Sequence, residues 1–143
     1  MRVESVKSET SIEDWRHVHN VIVPPAALTL DEVRERVRRN RLEVAYLGDV
    51  VVGCTTVRPP EGDADTVTLI VRVLPEHRRR GFGTALFSRA LKQAWTLGAG
   101  RIETVIWGSN LDGLHFARTN GFVEESSYLP PGEQVPFLTW RLA

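Results

Sequence analysis

One cysteine, Cys54, stands in 143 residues, so no internal disulfide can form and no cysteine-rich metal site can be built. Lysine is nearly as scarce: of the 18 basic residues only Lys7 and Lys92 are not arginine. A charge excess of either sign is missing as well, because 18 basic and 18 acidic residues cancel. Bulk attraction to nucleic acid or to an anionic membrane is therefore not expected, and any anion binding has to be local. Apolar runs of membrane-spanning length are absent. The opening MRVESVKSET lacks the apolar centre of a signal peptide. There is no internal repeat, low-complexity tract or long linker. These absences lead to the expectation of a single cytoplasmic domain over residues 1–143, with no metal, nucleic acid or membrane partner. An apolar fraction of 42% in a chain of this length is enough for a real core.

The pattern that is present alternates between helical and strand periods. Residues 2–6 read as a short strand. Ser11-Ile12-Glu13-Asp14 reads as a capping box, opening a helix with Ile12, Trp15, Val18, His19 and Ile22 on one face and ended by Pro24-Pro25. Thr29-Leu30-Asp31-Glu32 is a second capping box. It opens a charged helix, over 31–41, with Leu30, Val33 and Val37 turned inward. LEVAYLGDVVVGCTTVRP reads as two strands about a Gly48-Asp49 turn, and DTVTLIVRVLP as a central strand. A helix follows from Gly83 to Leu97, ended by Gly98 and Gly100. RIETVIW is a strand, Asn110 starts a further helix, and two strands lie on either side of Pro130-Pro131-Gly132. This order implies a mixed α/β (α+β) layer fold. Cys54, in an apolar strand, reads as core. The four tryptophans are mostly core candidates. His17 and His19, one residue apart, cannot share a helix face as metal ligands.

Arg78-Arg79-Arg80-Gly81-Phe82-Gly83 crowds charge and bare backbone at a helix start. The first N–H groups of a helix are unpaired, and its dipole is positive there, so such an end binds anions. Glycines let a phosphate approach the backbone, and guanidinium groups pair with phosphate oxygens. The segment suits a phosphorylated ligand, a pyrophosphate above all. A solvated basic turn, whose glycines serve only helix–strand packing, is the plainer alternative. Two familiar phosphate motifs fail: Thr84 stands where a P-loop has lysine, and Leu86 where a dinucleotide fingerprint has its third glycine.

With its flanking strand and helix, the segment resembles the acetyl-CoA signature of the GNAT superfamily of N-acetyltransferases, Arg/Gln-x-x-Gly-x-Gly/Ala. Asn110 after a strand and Asn120-Gly121-Phe122 after a helix resemble that family's second landmark. The resemblance implies a GNAT-like, mostly antiparallel sheet flanked by helices, splayed between strands about 65–74 and 101–107. It implies acetyl-CoA as cosubstrate and a small-molecule or protein amine as acceptor, and it leaves a homodimer open. Val71, Arg72 and Val73 would offer backbone groups to the thioester and pantetheine arm, beside the strand bulge usual in the family. Arg78, Arg79, Arg80, Gly81, Phe82, Gly83 and Thr84 would hold the pyrophosphate. Asn110 would touch the pantetheine arm, cap its helix, or do both.

The positions where the family places its acid and bases hold Ala117, Val105 and Val67. Substitutes are Glu103 as base, two residues before Val105 and on the same strand face, and Tyr128 as acid. His115 is a third candidate. Each has a plainer reading: an exposed strand charge, a rim aromatic, a surface helix residue. The vacancies leave two functions in view: an N-acetyltransferase, or a catalytically impaired acyl-CoA-binding module of the same fold.

Overall fold

The computed structural model describes residues 1–143. Seven strands form one sheet: β1 (Arg2–Ser5), β2 (Arg41–Leu47), β3 (Val50–Arg58), β4 (Thr66–Val73), β5 (Arg101–Trp107), β6 (Phe122–Tyr128) and β7 (Phe137–Leu142). Their order is β1-β2-β3-β4-β5-β7-β6, antiparallel throughout except for the parallel pair β4–β5. The helices are α1 (Glu9–Ile22), α2 (Leu30–Arg39), α3 (Phe82–Thr96) and α4 (Leu111–Thr119). The mixed, mostly antiparallel sheet with flanking helices is the architecture expected from the sequence.

Strand alternation divides the core in two. Leu42, Val44, Cys54 and Leu74 face α1 and α2 and pack with Trp15, Val18 and Val33. Val57, Val67, Leu69, Ile102 and Ile106 face the other way and pack with Ala90 and Ala94 of α3 and Ala117 of α4. Trp15 is buried, and its indole N–H donates to the Thr55 carbonyl at 3.2 Å. Trp140 is also core, but Trp95 is 54% exposed. It lies one position beyond the buried stripe Leu86–Ala90–Ala94, so the helical period turns it to solvent.

The second capping box stands as read: Thr29 Oγ1 accepts from Glu32 N, and Glu32 accepts from Thr29 N. The first is shifted by three residues. Ser8 is the cap, and Ser11 is the residue that answers it, accepting from Ser8 N at 3.0 Å. A serine three residues into the helix can close the box as a glutamate does. α1 therefore begins one turn before the Ser11-x-x-Asp14 pattern suggested.

His19 lies on the buried face of α1, stacked on Trp15 with ring centroids 5.3 Å apart. Its Nε2 is 2.9 Å from the Ala26 carbonyl, and Nδ1 has no partner. Burial first, and the Arg72 charge second, push its pKa down to about 4 from 6.5. A depressed histidine pKa means that the unfolded chain binds the proton more readily, so stability is full above pH 6.5 and falls below it. Urea unfolding should show about 2 kcal/mol lost between pH 7 and pH 5, above the range where carboxylates titrate. His19→Gln should flatten that slope. An unchanged slope in the variant would assign the acid sensitivity elsewhere.

Candidate acetyl-CoA cleft

β4 is in unbroken register with β3 from Gly53↔Val73 to Arg58↔Thr68, so the bulge expected in β4 is not there. With β5 it pairs only over Thr66–Thr68 against Arg101–Glu103. Beyond that point the two strands separate, which is the splay the resemblance implied. Leu74 N–H donates to Val52 O on the β3 side. Alternation then turns the N–H and C=O groups of Val71 and Val73 toward the opened gap. The splay alone, without a bulge, leaves these backbone groups free of ladder partners.

The gap is a cleft of about 500 Å³ running from the arginine-glycine loop to the far side of the sheet. Val71, Arg72, Val73, Arg78, Arg79, Gly81, Gly83, Thr84 and Asn110 all line it. Among the residues read from the sequence as binding groups, Arg80 and Phe82 do not. Arg80 is exposed, and Phe82 packs on Ala45, Val52 and Leu86.

The loop is shaped by two left-handed residues, Arg79 at φ 64° and Gly81 at φ 85°. Glycine takes this conformation freely, whereas arginine adopts it at a cost of roughly 1–2 kcal/mol. Gly81 caps α3 without any side-chain hydrogen bond. The first α3 backbone bond is Ala85 N to Gly81 O, and no N–H from Arg79 to Thr84 donates to the protein. Backbone turned in this way forms a concave nest of donors suited to an anion, set at the positive end of a 15-residue helix. Gly83 has a second role. A Cβ there would lie 3.2 Å from the Phe116 ring and 3.7 Å from the Val73 side chain. Its bareness therefore also lets α3 pack against α4 and the end of β4.

The three arginines part company. Arg78 is a clasp: Nε donates to the Val73 carbonyl at 3.0 Å, and Nη1 pairs with Asp112 of α4 at 2.7 Å. It ties the end of β4 to the opposite wall. Arg79 lines the cleft beside the free N–H groups, and Arg80 does not. Asn110 caps α4, accepting from Gly113 N at 3.0 Å, and lines the cleft at the same time. The donor nest, the adjacent guanidinium and the unpaired strand edge fit a pyrophosphate and its pantetheine arm.

Glu103 and Tyr128 lie on the α1/α2 face but outside the cleft lining. Glu103 pairs with Thr68 at the closed end of the splay and holds Arg101 Nε at 2.9 Å. Tyr128 is reached from Trp107 through Phe137, two strands away, and is 64% exposed. His115 is exposed but lines the cleft. Of the three vacant positions, Val105 and Ala117 line the cleft, Ala117 from a buried position, while Val67 is completely buried and outside it. No cluster of metal-ligating side chains is present, and no helix is long and apolar enough to cross a membrane.

Comparisons with known proteins agree with this geometry. The chain superimposes on smu.2055 from Streptococcus mutans UA159 with a TM-score of 0.80 at 21% identity, over 99% of this chain and 98% of that one. A Bacillus subtilis acetyltransferase in complex with CoA gives 0.73 at 21% identity, over 99% and 97%. The protein yncA from Salmonella typhimurium, solved with acetyl-CoA, gives 0.75 at 18%, over 99% and 92%. At these identities the likeness is one of fold. No curated protein matches in sequence. The model of the acetyltransferase (GNAT) family matches residues 9–122, most of the chain and all of the cleft, and the protein is a member of that family.

Proposed function

We propose that the protein transfers the acetyl group of acetyl-CoA to a primary amine by direct attack. The observation that carries this reading is the α3 N-terminus, which no side chain caps, with its unpaired N–H groups opening onto the splay of β4 and β5. Structural neighbours of the same fold were solved with CoA or acetyl-CoA. The nest at Arg79–Thr84 would hold the pyrophosphate, with Arg79 neutralising part of its charge. The pantetheine arm would run along the free edge of β4, within reach of Asn110. Free N–H groups of that edge would polarise the acetyl carbonyl, as donors of an oxyanion hole do.

The amine enters from the α1/α2 side. Its lone pair forms the C–N bond, and the C–S bond breaks with its electron pair leaving on sulfur. The ammonium proton passes to water, and water protonates the thiolate, because neither Glu103 nor Tyr128 lines the cleft. A thiolate is stable enough to leave without an enzymic acid. The absence of Glu103 and Tyr128 from the lining is also the observation that favours the second reading, an acyl-CoA-binding module with impaired catalysis.

A covalent acetyl-enzyme is not expected. Cys54, the only thiol, is fully buried, and burial pushes its pKa up to about 12, so it is neither ionised nor reachable. Incubation with acetyl-CoA alone should leave the intact mass of the protein unchanged. An acetyl adduct on Cys54 would replace direct attack with a two-step transfer.

A further inference from the structure

Arg72 is the charge in the cleft that acetyl-CoA binding does not use. Val71 and Val73 direct their side chains toward α3, packing near Val52, Leu86 and Phe82. Arg72 therefore points the other way, to the α1/α2 face, where it stands opposite Cys54 in the β3–β4 register. The cofactor loop lies at the start of α3, on the opposite side of the sheet. On the α1/α2 side the cleft is apolar around the guanidinium: Ile22, Val23, Ile70, Val105 and Trp107. Arg72 is not among the arginines that form ion pairs. Its polar neighbours are the Cys54 sulfur and the His19 ring, and its charged surroundings are Arg58 and Arg36. Burial disfavours its charged form, and so do those two arginines. The only carboxylate lining the whole cleft is Asp112, which is engaged by Arg78.

A half-buried guanidinium with no counter-ion destabilises a fold, and its planar fork is suited to an oxyanion. We propose that Arg72 anchors an acidic group of the acceptor, so that the substrate is an amine that also bears a carboxylate or phosphate. The inference rests on the acetyl-transfer reading of the cleft, because it takes the α1/α2 side as the acceptor's entrance. Polycationic amines are disfavoured by the same charges: they would meet Arg72 with no free carboxylate to receive them. An acidic amine is neutralised on entry, and its amino end is left to reach the thioester.

The test uses the full chain loaded with CoA and three matched probe pairs: glycine and glycinamide, β-alanine and β-alaninamide, O-phosphoethanolamine and ethanolamine. Calorimetry gives binding, and mass spectrometry gives acetyl product once acetyl-CoA replaces CoA. In the unsubstituted protein at least one acidic probe should bind about tenfold or more tighter than its neutral partner. The carboxylate and phosphate pairs identify which oxyanion is taken. Arg72→Gln should bring that ratio to about one, and Arg72→Lys, which keeps the charge but loses the fork, should give an intermediate ratio. Circular dichroism and CoA titration show whether each variant is folded. The proposal is overturned if neutral probes bind as well as acidic ones to the unsubstituted protein, or if the preference survives in Arg72→Gln. The two readings fail separately. Acidic preference without any acetyl product removes catalysis and keeps the Arg72 site, whereas equal acetylation of both partners removes the Arg72 site and keeps catalysis.

Discussion

Gly83→Glu abolishes CoA binding: by calorimetry the affinity should fall at least about a hundredfold, the equivalent of roughly 3 kcal/mol. The new carboxylate would sit among the free N–H groups of Arg79 to Thr84 and compete with the pyrophosphate for them. It would also repel the phosphates directly. The helix itself should tolerate the change, since an acidic residue in the first turn complements the helix dipole. What the fold has to absorb is the Cβ, which would come 3.2 Å from the Phe116 ring. Gly83→Ala isolates that contribution, because it brings the same Cβ without the charge. The alanine variant should keep most CoA affinity with a modest loss of stability. Equal loss in both variants would assign the effect to α3–α4 packing, and native affinity in the glutamate variant would remove the phosphate site. Gly81 is a poorer place for the same test: at φ 85° any side chain strains the backbone whatever its charge.

The second large effect lies in the pH dependence of turnover. The value of kcat/KM for an amine should rise about tenfold per pH unit until the pKa of the acceptor's ammonium group is reached, since only the free base attacks and no lining carboxylate stands ready to deprotonate it. Glu103→Gln and Tyr128→Phe should trace the same profile as the unsubstituted enzyme. Their positions are the reason: Glu103 is tied to Arg101 at the closed end of the splay, and Tyr128 is exposed two strands beyond Trp107. A base at Glu103 would show itself as a loss in Glu103→Gln that is largest at low pH, where the amine is mostly protonated. An acid at Tyr128 would show itself as a loss in Tyr128→Phe confined to high pH, where solvent protons are scarce.

The two candidates also show where sequence reasoning reaches and where it stops. Strand alternation assigned Glu103 to the face of Val105, and the sheet confirms that face. Alternation carries no information on where two parallel strands separate, and that point decides which residues on the face reach the cleft. The register of β4 against β5 ends at Thr68 and Glu103, one residue pair short of opening Glu103 to the gap. The elements themselves were legible because local signals agreed: the Thr29–Glu32 box, the Gly48-Asp49 turn, and the glycine at the end of α3. The start of α1 was misread because a serine, not a glutamate, completes the box from Ser8.

At the arginine triplet, sequence could give the charge but not the division of labour. Arg78 is drawn aside by Asp112, 34 positions away in the chain, a partner no local pattern reveals. The φ of Arg79 is likewise imposed by the turn and not by residue preference, since arginine does not favour it. Arg72 entered the sequence reading only through its backbone, as one of three residues on the cofactor strand. Its side chain became informative once the sheet showed which face it took and that no carboxylate met it. Cys54 was legible from its apolar strand and is buried as expected.

The most direct measurement of the central claim is steady release of CoA thiol from acetyl-CoA across a broad amine panel, with the N-acetyl product identified by mass. The expected result is amine-dependent, multiple-turnover release from the unsubstituted protein that Gly83→Glu eliminates. Tight CoA binding with no amine-dependent release would contradict it, and would leave an acyl-CoA-binding module whose arginine-glycine loop is its working site.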